Sequence, residues 1–300
     1  GGRADQISFG NTIKKKTDIA AAYALGVRLF AFDSEAELQK LAEAAPGSRV
    51  FCRILTSGEG AEWPLNRKFG CHSSMAQELL IATREKGLVP YGVSFHVGSQ
   101  QRNPNSWDVA LAESAELFRE LEREGIELKM VNLGGGFPTR YLQDIPTAEN
   151  YGRAIDDSLR RHFGNRIPET IIEPGRGMVG NAGVIFSEVV LVSRKSADDD
   201  VRWVYLDIGK FGGLAETMDE AIRYDIAPVR PINDNAEMGR VILAGPTCDS
   251  ADILYEKTPY YLPVDITVGD LLLINATGAY TTTYSSVGFN GFPPLAAYYV

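Results

Sequence analysis

Residues 128–137 read Leu-Lys-Met-Val-Asn-Leu-Gly-Gly-Gly-Phe, an apolar run followed directly by three glycines and an aromatic residue. The run from Leu128 to Leu133 is typical of a buried parallel strand. Glycines at the end of such a strand let backbone amides approach an anion closely, because no Cβ stands in the way. The stretch therefore predicts a phosphate-binding turn at the carboxyl end of a parallel strand.

Three other short segments belong to the same pattern, and two of them follow apolar runs of their own, at 88–93 and 170–172. They are Ser94-Phe95-His96-Val97-Gly98-Ser99, Glu173-Pro174-Gly175-Arg176 and Gly278-Ala279-Tyr280-Thr281. Arg176 adds a planar cationic fork that suits phosphate. The carboxylate of Glu173 has the wrong charge for phosphate and suits a protonated ring nitrogen instead. The four segments together predict a site for pyridoxal phosphate.

Strand-like and helical runs alternate from the start of the chain to about residue 180. The sequence predicts strands at 7–9, 27–32, 50–55, 88–93, 128–133 and 170–172, with amphipathic helices between them. Ser34 and Glu37 form a predicted capping box at the start of one helix. This alternation is typical of a parallel sheet with helical crossovers. Because the motifs follow three separate strands, we favour a (β/α)8 barrel over an open doubly wound sheet.

The character of the sequence changes after Gly180. Further strands are predicted at 184–192, 203–208, 240–244 and 270–275, separated by turns and not by long helices. We therefore expect a partial α/β barrel over residues 1–180 and a mostly antiparallel β domain over residues 181–300.

Composition excludes several classes of function. The 300 residues carry a net charge of −9, which disfavours binding to nucleic acid and stays compatible with a cationic small substrate. The apolar stretches are too short to span a membrane, and no secretory pattern opens the chain. Cys52, Cys71 and Cys248 are too few and too scattered for a disulfide framework or a zinc site. We expect a cytoplasmic protein with no metal.

With these segments in place, the chain resembles the fold type III pyridoxal-phosphate decarboxylases, which act on ornithine, lysine, arginine and diaminopimelate. Its ornithine-decarboxylating members are the most similar. The resemblance extends from about Ile7 to Val300 and implies a pyridoxal-phosphate barrel with a C-terminal β domain. It also implies a head-to-tail homodimer whose active sites are shared between subunits.

The resemblance assigns cofactor contacts to residues of all four segments. His96 would lie flat against the pyridine ring, and Glu173 would pair with the ring nitrogen. The phosphate would be held from several sides, and Arg53 would lie behind the cofactor. The residues implied for the phosphate and its surroundings are Ser99, Gly134, Gly135, Gly136, Gly175, Arg176 and Tyr280. From the residues alone, Arg53 reads equally well as part of a structural ion pair.

The stretch 245–252, Gly-Pro-Thr-Cys-Asp-Ser-Ala-Asp, resembles a second signature of the family. In it, Cys248 acts from the partner subunit and delivers a proton to the substrate α-carbon. Asp249 would hold the distal ammonium of a basic amino acid, and Phe289 would line the substrate pocket. Asp225 is a further candidate contact, with a solvated turn residue as the alternative.

This signature favours L-ornithine, with putrescine as the product. A lysine or dual lysine/ornithine decarboxylase stays open. Diaminopimelate is disfavoured, because its enzymes typically carry Cys-Glu-Ser-Gly at this point. The resemblance also implies ion pairs across the dimer, between Lys68 and Asp252 and between Asp33 and a basic residue near 194–195.

One departure from the family pattern concerns its Schiff-base lysine, which lies on the first barrel strand in a segment like Tyr-Ala-Val-Lys. Neither that strand nor the polar second strand has a counterpart in this sequence. We therefore expect that the first two βα units are missing through N-terminal truncation, and that the chain as given is inactive without that lysine. The alternative is a catalytically silent homologue that binds a regulatory partner, as the family's antizyme inhibitors do.

Overall fold

The computed structural model describes residues 2–233 and 235–300. It divides into two compact units. Unit 1 takes in the residues up to Pro138 together with Pro146–Pro174, and unit 2 takes in Thr139–Ile145 and Gly175–Val300. The domain boundary near residue 180 stays a prediction, and each unit is described by itself.

Unit 1 alternates strands and helices along the chain. Its elements are β1 (Ser8–Phe9), α1 (Lys16–Ala24), β2 (Leu29–Phe32), α2 (Glu35–Ala44), β3 (Arg49–Arg53), β4 (Ala61–Trp63), α3 (Ser73–Glu85), β5 (Val89–Ser94), β6 (Ser99–Gln101), α4 (Trp107–Arg123), β7 (Met130–Asn132), α5 (Ala148–Phe163) and β8 (Glu169–Ile171). A 3-10 turn at Pro104–Ser106 precedes α4.

The main sheet of unit 1 has six parallel strands in the order β1-β2-β3-β5-β7-β8. This order follows the chain without reversal, as in a barrel, whereas a doubly wound sheet reverses at a switch point. The barrel-type prediction is confirmed, with six βα units in this chain. All four residues of β2 are buried, which is typical of a strand covered on both faces.

The predicted capping box at Ser34 is wrong in its chemistry. Ser34 is the N-cap residue of α2, but its side chain makes no capping hydrogen bond. The carboxylate of Glu37 instead contacts Lys14 Nζ at 2.9 Å and Lys40 Nζ at 2.5 Å. Both the Lys14 and Glu37 side chains are almost fully buried. Leaving a buried ammonium without a counter-charge costs more free energy than leaving out a helix-capping hydrogen bond, so Glu37 pairs with Lys14.

Unit 2 is built around a second six-stranded sheet. Its regular elements are α6 (Gly175–Val179), β9 (Ile185–Ser193), β10 (Arg202–Leu206), β11 (Ile226–Pro228), β12 (Met238–Ala244), β13 (Ile253–Pro263) and β14 (Leu271–Ile274). Its 3-10 turns lie at Gly180–Ala182, Ala215–Glu220, Thr282–Tyr284 and Phe289–Gly291. The strand order is β11-β14-β9-β10-β12-β13, and only the β10–β12 pair is parallel. The predicted mostly antiparallel β domain is confirmed.

Strand β13 was not predicted, although at Ile253–Pro263 it has 11 residues. Pro259 interrupts its pattern, and a proline is tolerated there because β13 lies at the edge of the sheet.

Within the described ranges, no helix combines the length and apolar character needed to cross a membrane.

Candidate active site

The triple glycine follows β7 and forms a tight turn against the segment that follows β5. Gly134 has φ +66°, and a Cβ there would lie 2.1 Å from the backbone oxygen of Phe95. At Gly136, with φ +101°, a Cβ would lie 2.5 Å from the backbone oxygen of Gly98. Both the left-handed backbone and the close approach require glycine at these two positions.

The middle glycine brings three of the predicted segments together. A Cβ on Gly135 would lie 3.0 Å from His96 Nε2 and 2.8 Å from the backbone oxygen of Glu173. The backbone amide of Glu173 also donates to the backbone oxygen of Gly134 at 2.9 Å. The strand ends therefore place the imidazole, the glycine turn and the Glu173 backbone in one cluster within unit 1.

His96 presents a neutral imidazole in this cluster. Burial, with a smaller contribution from the positive charge of Arg53, lowers the pKa of His96 to about 4. Its Nδ1 accepts a hydrogen bond from the Gly98 amide at 3.0 Å, which fixes the ring plane. The Thr56 hydroxyl donates to the His96 backbone oxygen at 2.6 Å. The result is a flat, uncharged ring held at a fixed angle beside the glycine turn.

Asn132 connects the glycine turn to the carboxylate of Glu173. Its Nδ2 donates to Glu173 Oε1 at 2.8 Å, and its Oδ1 accepts from the Gly134 amide at 2.9 Å. Asn132 is only 2% exposed, whereas the Glu173 side chain is exposed. Sequence reasoning missed Asn132, although a polar residue at the end of an apolar run was the available signal.

Ser99 and Arg53 also lie in unit 1. Ser99 begins β6 and pairs with Trp63 of β4. Arg53 ends β3, and its guanidinium carbon lies 5.4 Å from the ring centroid of Phe69. Burial lowers the pKa of Arg53, with Glu173 and Asp33 opposing that effect. The cofactor roles of Ser99 and Arg53 stay predictions.

The cluster in unit 1 fits a phosphorylated pyridine ring. The glycine turn offers backbone amides without side chains, which suits a phosphate. The neutral imidazole offers a surface for stacking against an aromatic ring. The carboxylate of Glu173, oriented by Asn132, offers an acceptor for a protonated ring nitrogen. Those are three of the groups that pyridoxal phosphate needs, apart from the Schiff-base lysine.

In unit 2, Arg176 is buried and paired with a carboxylate that the sequence did not point to. Its Nη2 donates to Glu216 Oε1 at 2.5 Å, and its Nη1 donates to Glu216 Oε2 at 2.8 Å. Nη1 also donates to the Tyr141 hydroxyl at 2.7 Å. The guanidinium carbon lies 4.8 Å from the ring centroid of Tyr280. Arg176 and Tyr280 are thus neighbours, as their shared phosphate role would require.

Gly175 begins α6, and a Cβ there would meet no heavy atom within 4 Å. Steric fit within this structure therefore does not explain the glycine. Its predicted role near the cofactor is unaffected and stays a prediction.

The predicted proton donor Cys248 is exposed on a loop of unit 2. Its backbone amide and its Sγ both contact Asn290 Oδ1, at 3.2 Å and 3.3 Å. The next residue, Asp249, is also exposed, and its Oδ1 accepts from the Ala251 amide at 2.8 Å. Asn290 was missed because its contact to Cys248 spans 42 residues of sequence.

Asp252 is buried within its own loop and makes several hydrogen bonds there. Its carboxylate accepts from the Lys210 amide at 2.8 Å, and from the amide and hydroxyl of Thr247 at 3.2 Å and 2.7 Å. It also fills the space beside Gly209 and Gly245, where added Cβ atoms would lie 2.1 Å and 2.3 Å from its oxygens. Asp252 is only 2% exposed within its own chain, and it holds its own loop together. Its pairing with Lys68 of a second subunit stays a prediction.

The other predicted interface residues have contacts within their own unit. Asp33 Oδ2 accepts from the Gly70 amide at 2.8 Å. Lys195 Nζ lies 4.3 Å from the ring centroid of Trp203. Lys68 is exposed beside Phe69, and Arg194 is also exposed. Their roles at a dimer interface stay predictions.

The remaining substrate candidates lie apart from each other in the sequence of unit 2. Asp225 Oδ2 accepts from Asn275 Nδ2 at 3.0 Å. Phe289 packs against Phe211, with ring centroids 4.5 Å apart, and both line a cavity of about 210 Å³.

Throughout residues 2–233 and 235–300, no group of three or more His, Cys, Asp or Glu side chains is arranged to hold a metal.

Comparison with known proteins identifies the family of this chain. Residues 1–180 match the family model described as "Pyridoxal-dependent decarboxylase, pyridoxal binding domain". The lysine/ornithine decarboxylase of Selenomonas ruminantium is 31% identical over 292 residues, which cover 96% of this chain and 70% of that protein. The ornithine decarboxylase of Mus musculus is 31% identical over 99% of this chain and 66% of its own length.

A solved structure is also similar over nearly the whole chain. The arginine decarboxylase of Paramecium bursaria Chlorella virus superposes with a TM-score of 0.88 at 26% identity, covering 99% of this chain and 78% of that one. The chain therefore spans about two thirds to four fifths of the proteins it matches. By its glycine turn, its oriented carboxylate and these matches, the chain belongs to the pyridoxal-dependent decarboxylases, and its cofactor is pyridoxal phosphate.

Proposed function

We propose that this protein decarboxylates a basic L-amino acid, with L-ornithine as the preferred substrate and putrescine as the product. The relatives named above act on ornithine, lysine or arginine, whose side chains all end in a cation. Asp249 and Asp225 are the carboxylates proposed to hold that cation. We further propose a cytoplasmic homodimer with shared active sites.

The observation that carries the proposal is the hydrogen bond from Asn132 to Glu173, 2.8 Å long, beside the glycine turn and the neutral His96. Pyridoxal phosphate, when bound, supplies an electron sink for the electron pair left by loss of CO2. Glu173 is proposed to keep a proton on the ring nitrogen, which strengthens that sink. His96 supports the ring face, and the glycine amides hold the phosphate.

Cys248 is proposed to place its thiol proton on the α-carbon where CO2 has left, and its sulfur then regains a proton from water. Arg176, Tyr280 and Ser99 are proposed to bind the phosphate, and Phe289 to line the substrate pocket. These roles rest on the resemblance in sequence, together with the contact between Arg176 and Tyr280.

The choice between ornithine and lysine depends on one methylene group, which is worth only about 1–3 kcal/mol of discrimination. Lysine or dual specificity is therefore the alternative within the same chemistry. Diaminopimelate ends in a zwitterion, and its distal carboxylate would be repelled by Asp249. We expect it to be the poorest of these substrates.

The test is a comparison of kcat/KM for ornithine, lysine, arginine and diaminopimelate on the full-length gene product, measured by CO2 release. We expect ornithine to rank first and diaminopimelate last. Glu173→Gln serves as the control and should abolish most of the activity for every substrate. Diaminopimelate ranking above the three basic amino acids would overturn the substrate assignment, and wild-type rates in Glu173→Gln would overturn the mechanism.

A catalytically silent regulatory protein is the second candidate. Lys14 lies just after β1, but its Nζ is buried and already bonds to the backbone oxygens of Asn11 and Ala31 and to Glu37. This lysine is not available to the cofactor. Cofactor binding by the full-length protein without release of CO2 from any of the four substrates would favour the silent homologue.

A further inference from the structure

The side chain of Asn290 holds Cys248 through two contacts to one oxygen. Oδ1 lies 3.2 Å from the Cys248 backbone nitrogen and 3.3 Å from its Sγ. An amide oxygen only accepts hydrogen bonds, so both the backbone N–H and the thiol S–H act as donors here. The backbone contact fixes the oxygen, and the fixed oxygen then selects the direction of the S–H bond.

The backbone around Asn290 explains why this residue is asparagine. Asn290 has φ +50° and lies inside the turn Phe289–Gly291, whose N-cap residue Gly288 has φ +77°. Glycine meets a positive φ with no steric cost, and asparagine is one of the few other residues that tolerate it. Asparagine adopts a positive φ less easily than glycine does, but its side chain makes the contacts to Cys248 that glycine cannot make.

We propose that Asn290 is a positioning residue, which orients the thiol of Cys248 for donation of its proton. The inference rests on the proposed role of Cys248 in protonating the α-carbon. When the sulfur gives up its proton to carbon, water supplies the next one, and the amide oxygen of Asn290 again orients the new S–H bond. The residue acts through the thiol and needs no contact with the substrate.

The first test measures the thiol directly and does not depend on enzyme activity. Cys248 is exposed whereas Cys52 and Cys71 are buried, so iodoacetamide should label Cys248 selectively in the native chain. Asn290→Gly keeps the left-handed backbone and removes the acceptor. The sulfur has to give up its S–H contact to Oδ1 before it reacts, so loss of the acceptor should speed alkylation by about three- to tenfold. Asn290→Asp keeps an acceptor and adds a negative charge, which should slow alkylation below the wild-type rate.

Two controls make the result specific. Cys248→Ser should remove the label and identify its site. Val287→Ala changes a neighbouring side chain that is 88% exposed, and it should leave the rate within twofold of wild type. Any order of rates other than Gly above Asn above Asp, or equal acceleration by Val287→Ala, would overturn the proposal.

The second test uses the full-length enzyme. Asn290→Gly should lower kcat by about five- to fiftyfold and leave KM within twofold, because the thiol acts after the substrate is bound. Asn290→Asp should recover part of that loss, which a general weakening of the loop would not allow. Unchanged kcat in Asn290→Gly would overturn the positioning role. A full-length protein without any decarboxylase activity would instead contradict the proposed function, and the alkylation order would still decide whether Asn290 controls the thiol.

Discussion

Asn132 and Glu173 are joined by a hydrogen bond of 2.8 Å, from the amide nitrogen of one to Oε1 of the other. The same asparagine accepts from the first glycine of the turn at 2.9 Å. One buried side chain therefore sets the spacing between the groups proposed to bind the phosphate and the ring nitrogen. Hydrogen bonds to a charged group are worth about 1.5–3 kcal/mol, so this link is strong enough to orient the carboxylate.

Replacing Asn132 should weaken cofactor binding. Asn132→Leu keeps the approximate volume and removes both hydrogen bonds, and we expect the Kd for pyridoxal phosphate to rise about 10–100-fold. The matched control is Asn105→Leu, which makes the same change at an exposed position. Fluorescence quenching on cofactor titration measures both values. Equal affinities in wild type and Asn132→Leu would contradict the orienting role.

His96 should make the protein sensitive to acid. Its pKa falls from about 6.5 in the unfolded chain to about 4 in the folded one. The unfolded chain therefore binds the extra proton first, and stability is lost as the pH falls from about 6.5 towards 4. The loss from this residue should reach about 3 kcal/mol.

Urea unfolding at pH 7, 5.5 and 4 tests this linkage. His96→Gln cannot titrate, so its free energy of unfolding should fall less between pH 7 and pH 4 than that of wild type. If both proteins lost the same stability over this range, His96 would not be the group responsible.

Breaking the buried ion pair between Lys14 and Glu37 should strongly destabilise unit 1. Burial lowers the pKa of Lys14, and Glu37 counteracts that effect. Lys14→Met leaves the buried carboxylate without one of its two cations and should cost about 3–5 kcal/mol. Lys16→Met breaks the exposed pair with Glu43 and should cost much less, because solvent screens exposed charges. Chemical unfolding of the two variants compares them, and similar costs would contradict the argument from burial.

Shared active sites can be tested by mixing two inactive proteins. Full-length Glu173→Ala lacks the proposed partner of the ring nitrogen, and full-length Cys248→Ala lacks the proposed proton donor. If each site combines Glu173 of one chain with Cys248 of the other, random pairing should restore up to about a quarter of wild-type sites. Subunit exchange is verified by mass spectrometry. Exchange without recovered activity would mean that each site is built within one chain.

The parts of the site that follow strands could be predicted, because glycines and charged residues after apolar runs leave a local pattern. Gly134, Gly136 and Glu173 were identified in this way, and the structure brings them together. The partners that orient them leave no such pattern. Glu216 pairs with Arg176 across 40 residues, and Asn290 reaches Cys248 across 42.

Some features predicted from local sequence patterns differ in the structure because of tertiary contacts. Ser34 is the N-cap residue of α2 as predicted, but the carboxylate of Glu37 pairs with the buried Lys14 and does not form the capping box. Strand β13 includes Pro259, which local rules exclude from a central strand and allow at an edge. Asp252 reads as a surface acid, and only the three-dimensional structure places it in a space lined by glycines.

The placement of Asp252 couples its own position sterically to Gly209 and Gly245. Its carboxylate occupies the volume that a methyl group on Gly209 or Gly245 would need. Alanine at either glycine should therefore be harmful while Asp252 is present, and it should be better tolerated in an Asp252→Ala background, where the space is empty. Such non-additivity is expected of residues that share one cavity. A redesign of this loop therefore has to change Asp252 and the glycines together. A variant with alanine at Gly209 or Gly245 and with Asp252 retained should be unstable.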